Sequence, residues 1–158
     1  MLKRVVKRTG ANGGDYVIIA SLYNRRFVDS MVKAAKEFLI NAKANSIEVI
    51  RVPGAYEIPV VASNIIKNRA GKTTAIICLG VIIRGETAHA QLIGEAVTFA
   101  LTKLQIASGI PIVHEVLLLE NTEQAQKRCI DPEHNRGYEA AKTAVEMGKI
   151  IKSISGKS

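Results

Sequence analysis

The run Arg84-Gly85-Glu86-Thr87-Ala88-His89 brings a positive charge, a glycine, a hydroxyl and an imidazole together. It follows an apolar run and opens a long amphipathic segment, so it reads as the turn from a strand into a helix. Free amides at a helix start attract anions, and a glycine beside them lets a ligand approach the backbone. Thr87 adds a hydroxyl donor. His89, in the first turn, can take and return protons near neutral pH. The same residues would also serve as a plain helix cap with an exposed histidine.

A second run, Val52-Pro-Gly-Ala-Tyr-Glu-Ile-Pro59, turns sharply at Pro53-Gly54 and places Glu57 at another helix start. An acid is favoured there by the helix dipole alone, and its carboxylate can also accept hydrogen bonds from a polyol. Tyr23-Asn24 offers an aromatic face and an amide in a chain with only four Tyr, three Phe and no Trp. Tyr23 could equally be a packing residue. Arg128 and Arg136 lie on either side of Pro132 and so do not share one helical face. Arginine matches phosphate with two parallel bonds, although its usual fate at a surface is a solvated charge.

Short apolar runs alternate with segments of helical spacing. Strands are expected over 15–21, 47–52, 75–83 and 110–118, the third apolar throughout, as when both faces are covered. Helical spacing is expected near 27–39, over 58–66 and 87–107, and near 122–129 and 138–154. Such alternation gives βαβ units, hence an α/β, three-layer, flavodoxin-like doubly wound domain on a four-stranded, mainly parallel sheet. The organisation expected is a basic arm over 1–14, a single domain over 15–154 and a short tail over 155–158. Sheet edges need cover, and the arm or a neighbouring subunit could supply it. Ligands of such sheets bind at the carboxyl ends of the strands, where most of the unusual residues fall.

Several functions are set aside by what is missing. The net charge is +8, and Lys3, Arg4, Lys7 and Arg8 crowd the first eight residues. No recognition-helix motif, basic–aromatic stripe or zinc spacing accompanies that charge, so no nucleic-acid partner is expected. Gly71-Lys72-Thr73 and Gly156-Lys157-Ser158 lack the earlier glycine of a P-loop, having Ile66 and Ile151 in its place. No glycine fingerprint follows the first strand, so no dinucleotide cofactor is expected. The end of the third strand lacks the acid of a phosphoacceptor domain. No run approaches the ~20 apolar residues of a membrane span. Cys78 and Cys129 form no Cys-x-x-Cys, and a buried thiol suits Cys78 better than a disulfide. The expected location is cytoplasmic.

Taken together, the motifs resemble the 6,7-dimethyl-8-ribityllumazine synthase family of riboflavin biosynthesis, from about Tyr16 to Ile150. The resemblance rests on Val52–Pro59, on Gly80-Val-Ile-Ile-Arg-Gly-Glu-Thr-Ala-His89, on Glu120-Asn-Thr-Glu-Gln-Ala125, and on Asn135-Arg-Gly137 preceding Ala144-Val-Glu-Met147. It implies condensation of 5-amino-6-(D-ribitylamino)uracil with 3,4-dihydroxy-2-butanone 4-phosphate, releasing phosphate and water, with no cofactor and no metal. By resemblance, Tyr23 stacks on the pyrimidine and Asn24 adjoins it. Ala55, Tyr56 and Glu57 hold the ribityl chain, and Ile82 and Ile83 line the pyrimidine pocket. Gly85, Glu86 and Thr87 hold phosphate, and His89 transfers protons. Arg128 grips phosphate from the adjacent subunit, and Arg136 stands where relatives often carry lysine. Two departures are His114, where relatives often place an aromatic from the neighbour, and Ala90-Gln91, where another aromatic is usual.

The resemblance also implies pentamers with sites between subunits, and shells of sixty where the last two helices carry no insertion, as over Arg128 to Arg136 here. Riboflavin synthase is a further candidate partner. Two other readings stay open on sequence: a flavin-binding module that has lost the reaction, and a scaffold whose basic arm meets nucleic acid.

Overall fold

A computed structural model describes residues 13–69 and 71–156. The basic arm, apart from Gly13 and Gly14, and the last two residues of the tail lie outside the described residues. The chain runs β1 (Asp15–Ser21), α1 (Arg25–Asn41), β2 (Ser46–Val52), a 3-10 turn (Ala55–Glu57), α2 (Ile58–Asn68) and β3 (Ala75–Ile83). It continues through α3 (His89–Ser108), β4 (Ile112–Leu119), a short α4 (Thr122–Ala125) that passes into a π turn (Gln126–Ile130), and α5 (Arg136–Ile154). All pairings are parallel, in the order β2-β1-β3-β4. This is the three-layer α/β arrangement expected from the alternating pattern.

The two-residue period of the strands sorts side chains between two cores. Tyr16, Ile18 and Ala20 of β1 join Ala75, Ile77, Leu79 and Val81 of β3 beneath α1 and α5. Val17 and Ile19 join Ile76 and Cys78 beneath α2 and α3. β3 is buried on both faces for most of its length, which is why it reads as one apolar run. Both cysteines are free and fully buried, Cys78 in the α2/α3 core and Cys129 in the α1/α5 core. Burial pushes the Cys129 thiol up to about 12, and raises that of Cys78 as well.

The tightest approach is between α1 and α5. A Cβ on Gly137 would sit 2.1 Å from the Met31 carbonyl oxygen. Asn135 starts α5 by accepting the amides of Gly137 (2.8 Å) and Tyr138 (3.3 Å). Its side-chain amide donates to the Cys129 carbonyl (2.7 Å), as does the Ser30 hydroxyl (2.7 Å), so the π turn is fastened to both helices. Among the described residues, no helix is long and apolar enough to cross a membrane.

Candidate functional site

At the carboxyl ends of β1, β2 and β3 lies an open cavity of about 500 Å³. It is walled by Tyr23, Gly54, Ala55, Tyr56, Glu57, Val81, Ile82, Ile83, Gly85, Thr87, His89, Ala90 and Ile93. A second depression of similar size, between α1 and the start of α5, contains none of the expected residues. In the cavity at the strand ends aromatic, carboxylate, hydroxyl and imidazole groups converge, where open parallel sheets place their ligands.

Main-chain bonds beyond the strand ladders build the walls. The amides of Leu22 and Tyr23 donate to the carbonyls of Val52 (2.8 Å) and Pro53 (3.1 Å). Those bonds hold the Tyr23 loop against the Pro53-Gly54 turn. Asn24 adopts a left-handed conformation (φ 56°), and its side-chain amide donates to the Val81 carbonyl (2.7 Å). It thereby carries the β1–β3 pairing past its last register pair, Ala20 with Leu79. Asn24 thus shapes the floor but does not line the cavity. One Glu57 carboxylate oxygen accepts the Gly54 amide (2.9 Å) and stiffens the turn. Tyr23 and Tyr56 are 74% and 62% exposed, so the aromatic wall stands open on one side.

The helix after β3 starts later than its apolar period predicts. α3 opens at His89, two residues after Thr87. The Thr87 hydroxyl accepts the His89 amide (3.3 Å), so the threonine side chain competes with the first helical turn and holds 85–88 out of it. Gly85, Thr87 and His89 still face the cavity, whereas Glu86 does not line it. A Cβ on Gly85 would meet nothing within 4 Å, so the space beside that backbone is open.

Arg128, His114 and Arg136 lie outside the walls. Arg128 is exposed on the π turn and makes no ion pair among the described residues. Arg136 is engaged by Glu115, with bonds of 2.7 and 3.2 Å. His114 sits in a shallow groove between α3 and β4. Its Nδ1 accepts the Val116 amide (3.1 Å), and its Nε2 pairs with the Thr98 hydroxyl oxygen (2.7 Å). Thr98 in turn donates to the Gly94 carbonyl (2.8 Å), so the network assigns the neutral ring its hydrogen on Nε2. Burial lowers the His114 pKa below its ordinary value, and the Glu115 charge opposes that in part.

Sequence reasoning missed Ile93 as a wall residue and the fastening role of Asn24. The apolar period of α3 could have supplied Ile93, which lies one turn beyond His89 and Ala90 on the same face. Away from the cavity, Asp131, Glu133 and His134 are the only residues among those described that gather like metal ligands. Asp131 already accepts the Glu133 amide (3.0 Å) and contacts the His134 ring (3.1 Å), which accounts for the cluster as a local turn.

A sequence model of 6,7-dimethyl-8-ribityllumazine synthase matches residues 13–152. The chain belongs to the 6,7-dimethyl-8-ribityllumazine synthase family. Proteins named 6,7-dimethyl-8-ribityllumazine synthase from Xanthomonas campestris pv. campestris (strain B100) and Xylella fastidiosa (strain M12) are 35% and 33% identical to it. The first alignment covers 88% of this chain and 90% of the relative, the second 90% and 92%. The Xanthomonas oryzae pv. oryzae (strain PXO99A) protein of that name is 36% identical, over 88% and 90%. A crystal structure of a sigma-54 interaction domain protein from Enterococcus faecalis aligns over 92% of this chain and 97% of its own, at TM-score 0.31 and 15% identity. As a lumazine synthase family member, the chain is a transferase of riboflavin biosynthesis.

Proposed function

We propose that this chain condenses 5-amino-6-(D-ribitylamino)uracil with 3,4-dihydroxy-2-butanone 4-phosphate to 6,7-dimethyl-8-ribityllumazine, releasing phosphate and water. The observation that carries this reading is the convergence of Tyr23, the 55–57 turn, Ile82–Ile83 and the 85–89 segment on one cavity. Tyr23 offers its face to the pyrimidine ring, which rests on Ile82 and Ile83. Asn24 keeps that floor in place. The Ala55-Tyr56-Glu57 turn receives the ribityl chain, whose hydroxyls donate to the Glu57 carboxylate. Gly85 and Thr87, with Glu86 between them, receive the phosphate. His89 moves protons as the imine forms, phosphate departs and the second ring closes. Holding both substrates in one geometry supplies much of the acceleration.

The phosphate needs a cation that the cavity's own walls do not contain. Arg128, exposed and free of ion pairs among the described residues, supplies it from a neighbouring subunit. Arg136, held by Glu115, contributes less, and His114 covers the neighbour's pocket edge. The assembly proposed is a pentamer, with pentamers closing into a shell of sixty. Outward-facing Leu92, Phe99 and Ile106 at two-turn spacing along α3 support burial between subunits. Residues 15–154 act as one domain, and the two free thiols accord with a cytoplasmic location. Riboflavin synthase, which would consume the product, remains the candidate protein partner.

Purified protein given both substrates should yield a fluorescent lumazine and stoichiometric phosphate. Phosphate release no faster than the non-enzymatic background rejects the reaction. Tight riboflavin binding without turnover would make the chain a binding module instead. Light scattering gives the subunit count.

A further inference from the structure

Arg84 does not line the cavity, yet it is the residue that fastens the segment carrying Gly85, Thr87 and His89. Its amide donates to the Leu119 carbonyl (2.8 Å), next to the last β3–β4 register pair, Ile83 with Leu119. Its guanidinium then divides. Nε donates to Glu120 (3.0 Å), at the end of β4, and a terminal nitrogen donates to the Gln91 side-chain oxygen (2.8 Å), in the first turn of α3. Both partners are themselves held. Gln91 donates onward to Glu95 (2.6 Å), and the Glu120 amide donates to the Gln124 side-chain oxygen (2.8 Å) in α4.

Between Arg84 and Gln91 the chain has little else to hold it. Residues 85–88 are exposed and precede the helix. Among the described residues, their hydrogen bonds stay within the segment and α3, as in the Thr87–His89 contact. Side-chain packing does not fix Gly85 either, since nothing lies within 4 Å of its missing Cβ. One guanidinium therefore spans the segment from its first residue to two residues beyond His89.

We propose that Arg84 is a positioning residue, which holds 85–89 across the cavity by clamping the first turn of α3 to the end of β4. The inference rests on the reaction proposed above for its catalytic consequence, but not for its structural one. Arg84 does not bind the phosphate itself, because its charge is committed to Glu120. The pair is exposed on both sides, and such pairs contribute little to global stability. Local order and global stability are therefore separable.

The test uses full-length Arg84→Ala and Arg84→Lys. Expected for both is a rise of about tenfold in KM for the butanone phosphate, with the KM for the pyrimidine within about twofold, because misplacing a binding segment weakens what that segment binds. Lysine keeps the charge but lacks the planar fork that sets one nitrogen on Glu120 and another on Gln91, so it does not rescue. Adding Gln91→Ala and Glu120→Gln to Arg84→Ala should cost no more than Arg84→Ala alone, as expected for one coupled network. Hydrogen exchange should quicken about tenfold at the bonded amides of residues 84, 89 and 92 and nowhere else, with the thermal midpoint nearly unchanged. Equal changes in both KM values, full rescue by lysine, additive losses or unchanged exchange at residues 84, 89 and 92 would each overturn the proposal. If the wild-type protein makes no lumazine, the proposed reaction fails, and the clamp then stands or falls on the exchange measurement alone.

Discussion

The two helical layers treat the same sheet differently. Between α1 and α5 the backbones meet at Gly137 and Met31, and Ala35, Ala140, Ala141 and Ala144 are buried in the same core. Phe38 and Tyr138 close its rim edge to face, 5.0 Å between centroids. The α2/α3 layer buries fewer residues, sends Val60, Leu92, Phe99 and Ile106 outward, and borders the cavity through Ala90 and Ile93. The α1/α5 layer is closed at the Gly137–Met31 contact, although Ile40, Ile150 and Ile154 stand exposed on it. The α2/α3 layer borders the open wall where the expected site residues converge, and so has room for a ligand.

The largest expected effect tests the close α1/α5 approach. Gly137→Ala should destabilise by about 3 kcal/mol or more, because the new methyl meets backbone, which cannot rotate away. Gly85→Ala, with open space around it, should change stability by less than about 0.5 kcal/mol. Denaturant midpoints of the two variants compare the layers directly, and similar losses would erase the contrast. Next comes the open wall. Arg128→Ala should raise the KM for the phosphorylated substrate by about 10- to 100-fold, as for a lost charged hydrogen bond, and leave the pyrimidine nearly unaffected. Equal losses for both substrates would deny Arg128 its assigned role. His89→Ala should lower kcat by about 10- to 100-fold with folding intact, since general acid–base catalysis contributes modestly beside positioning. An unchanged kcat would remove His89 from the chemistry.

The smallest effect concerns His114, which ties β4 to the open layer. Burial, partly opposed by Glu115, holds its pKa below 6.5, whereas the unfolded chain keeps the ordinary value. The unfolded state therefore binds more protons as pH falls through 6.5. The contribution of the neutral ring is present above pH 6.5 and is lost below it, down to the folded value. His114→Gln should flatten that part of the stability profile, and a parallel decline in wild type and variant would show that other groups cause it.

Much of this was legible in the sequence, and for physical reasons. β3 agrees with its expected bounds, Ala75–Ile83, because a strand covered on both faces is apolar throughout. Parallel topology then directed attention to the strand ends, where Tyr23, Glu57 and His89 converge. What escaped depends on side chains that override periodicity or meet across long separations. Thr87 delays α3 by satisfying the His89 amide itself. The π turn under Arg128 inserts a residue that an apolar pattern of helical spacing does not reveal. Arg84 and Glu120 are 36 positions apart, and only folding shows that the arginine in the most suggestive motif bonds Glu120 and does not line the cavity. Arg136 had the right charge for phosphate, but Glu115 on β4 engages it first.

Cys78 and Cys129 equip the molecule with a pair of internal reporters. Each thiol is sealed in a different core, and each is kept in its unreactive protonated form by burial. An alkylating reagent can reach one only when the layer above it opens. Pulse labelling followed by peptide mass measurement would thus time the opening of each side of the sheet in the unmodified protein, without a dye or an engineered tag.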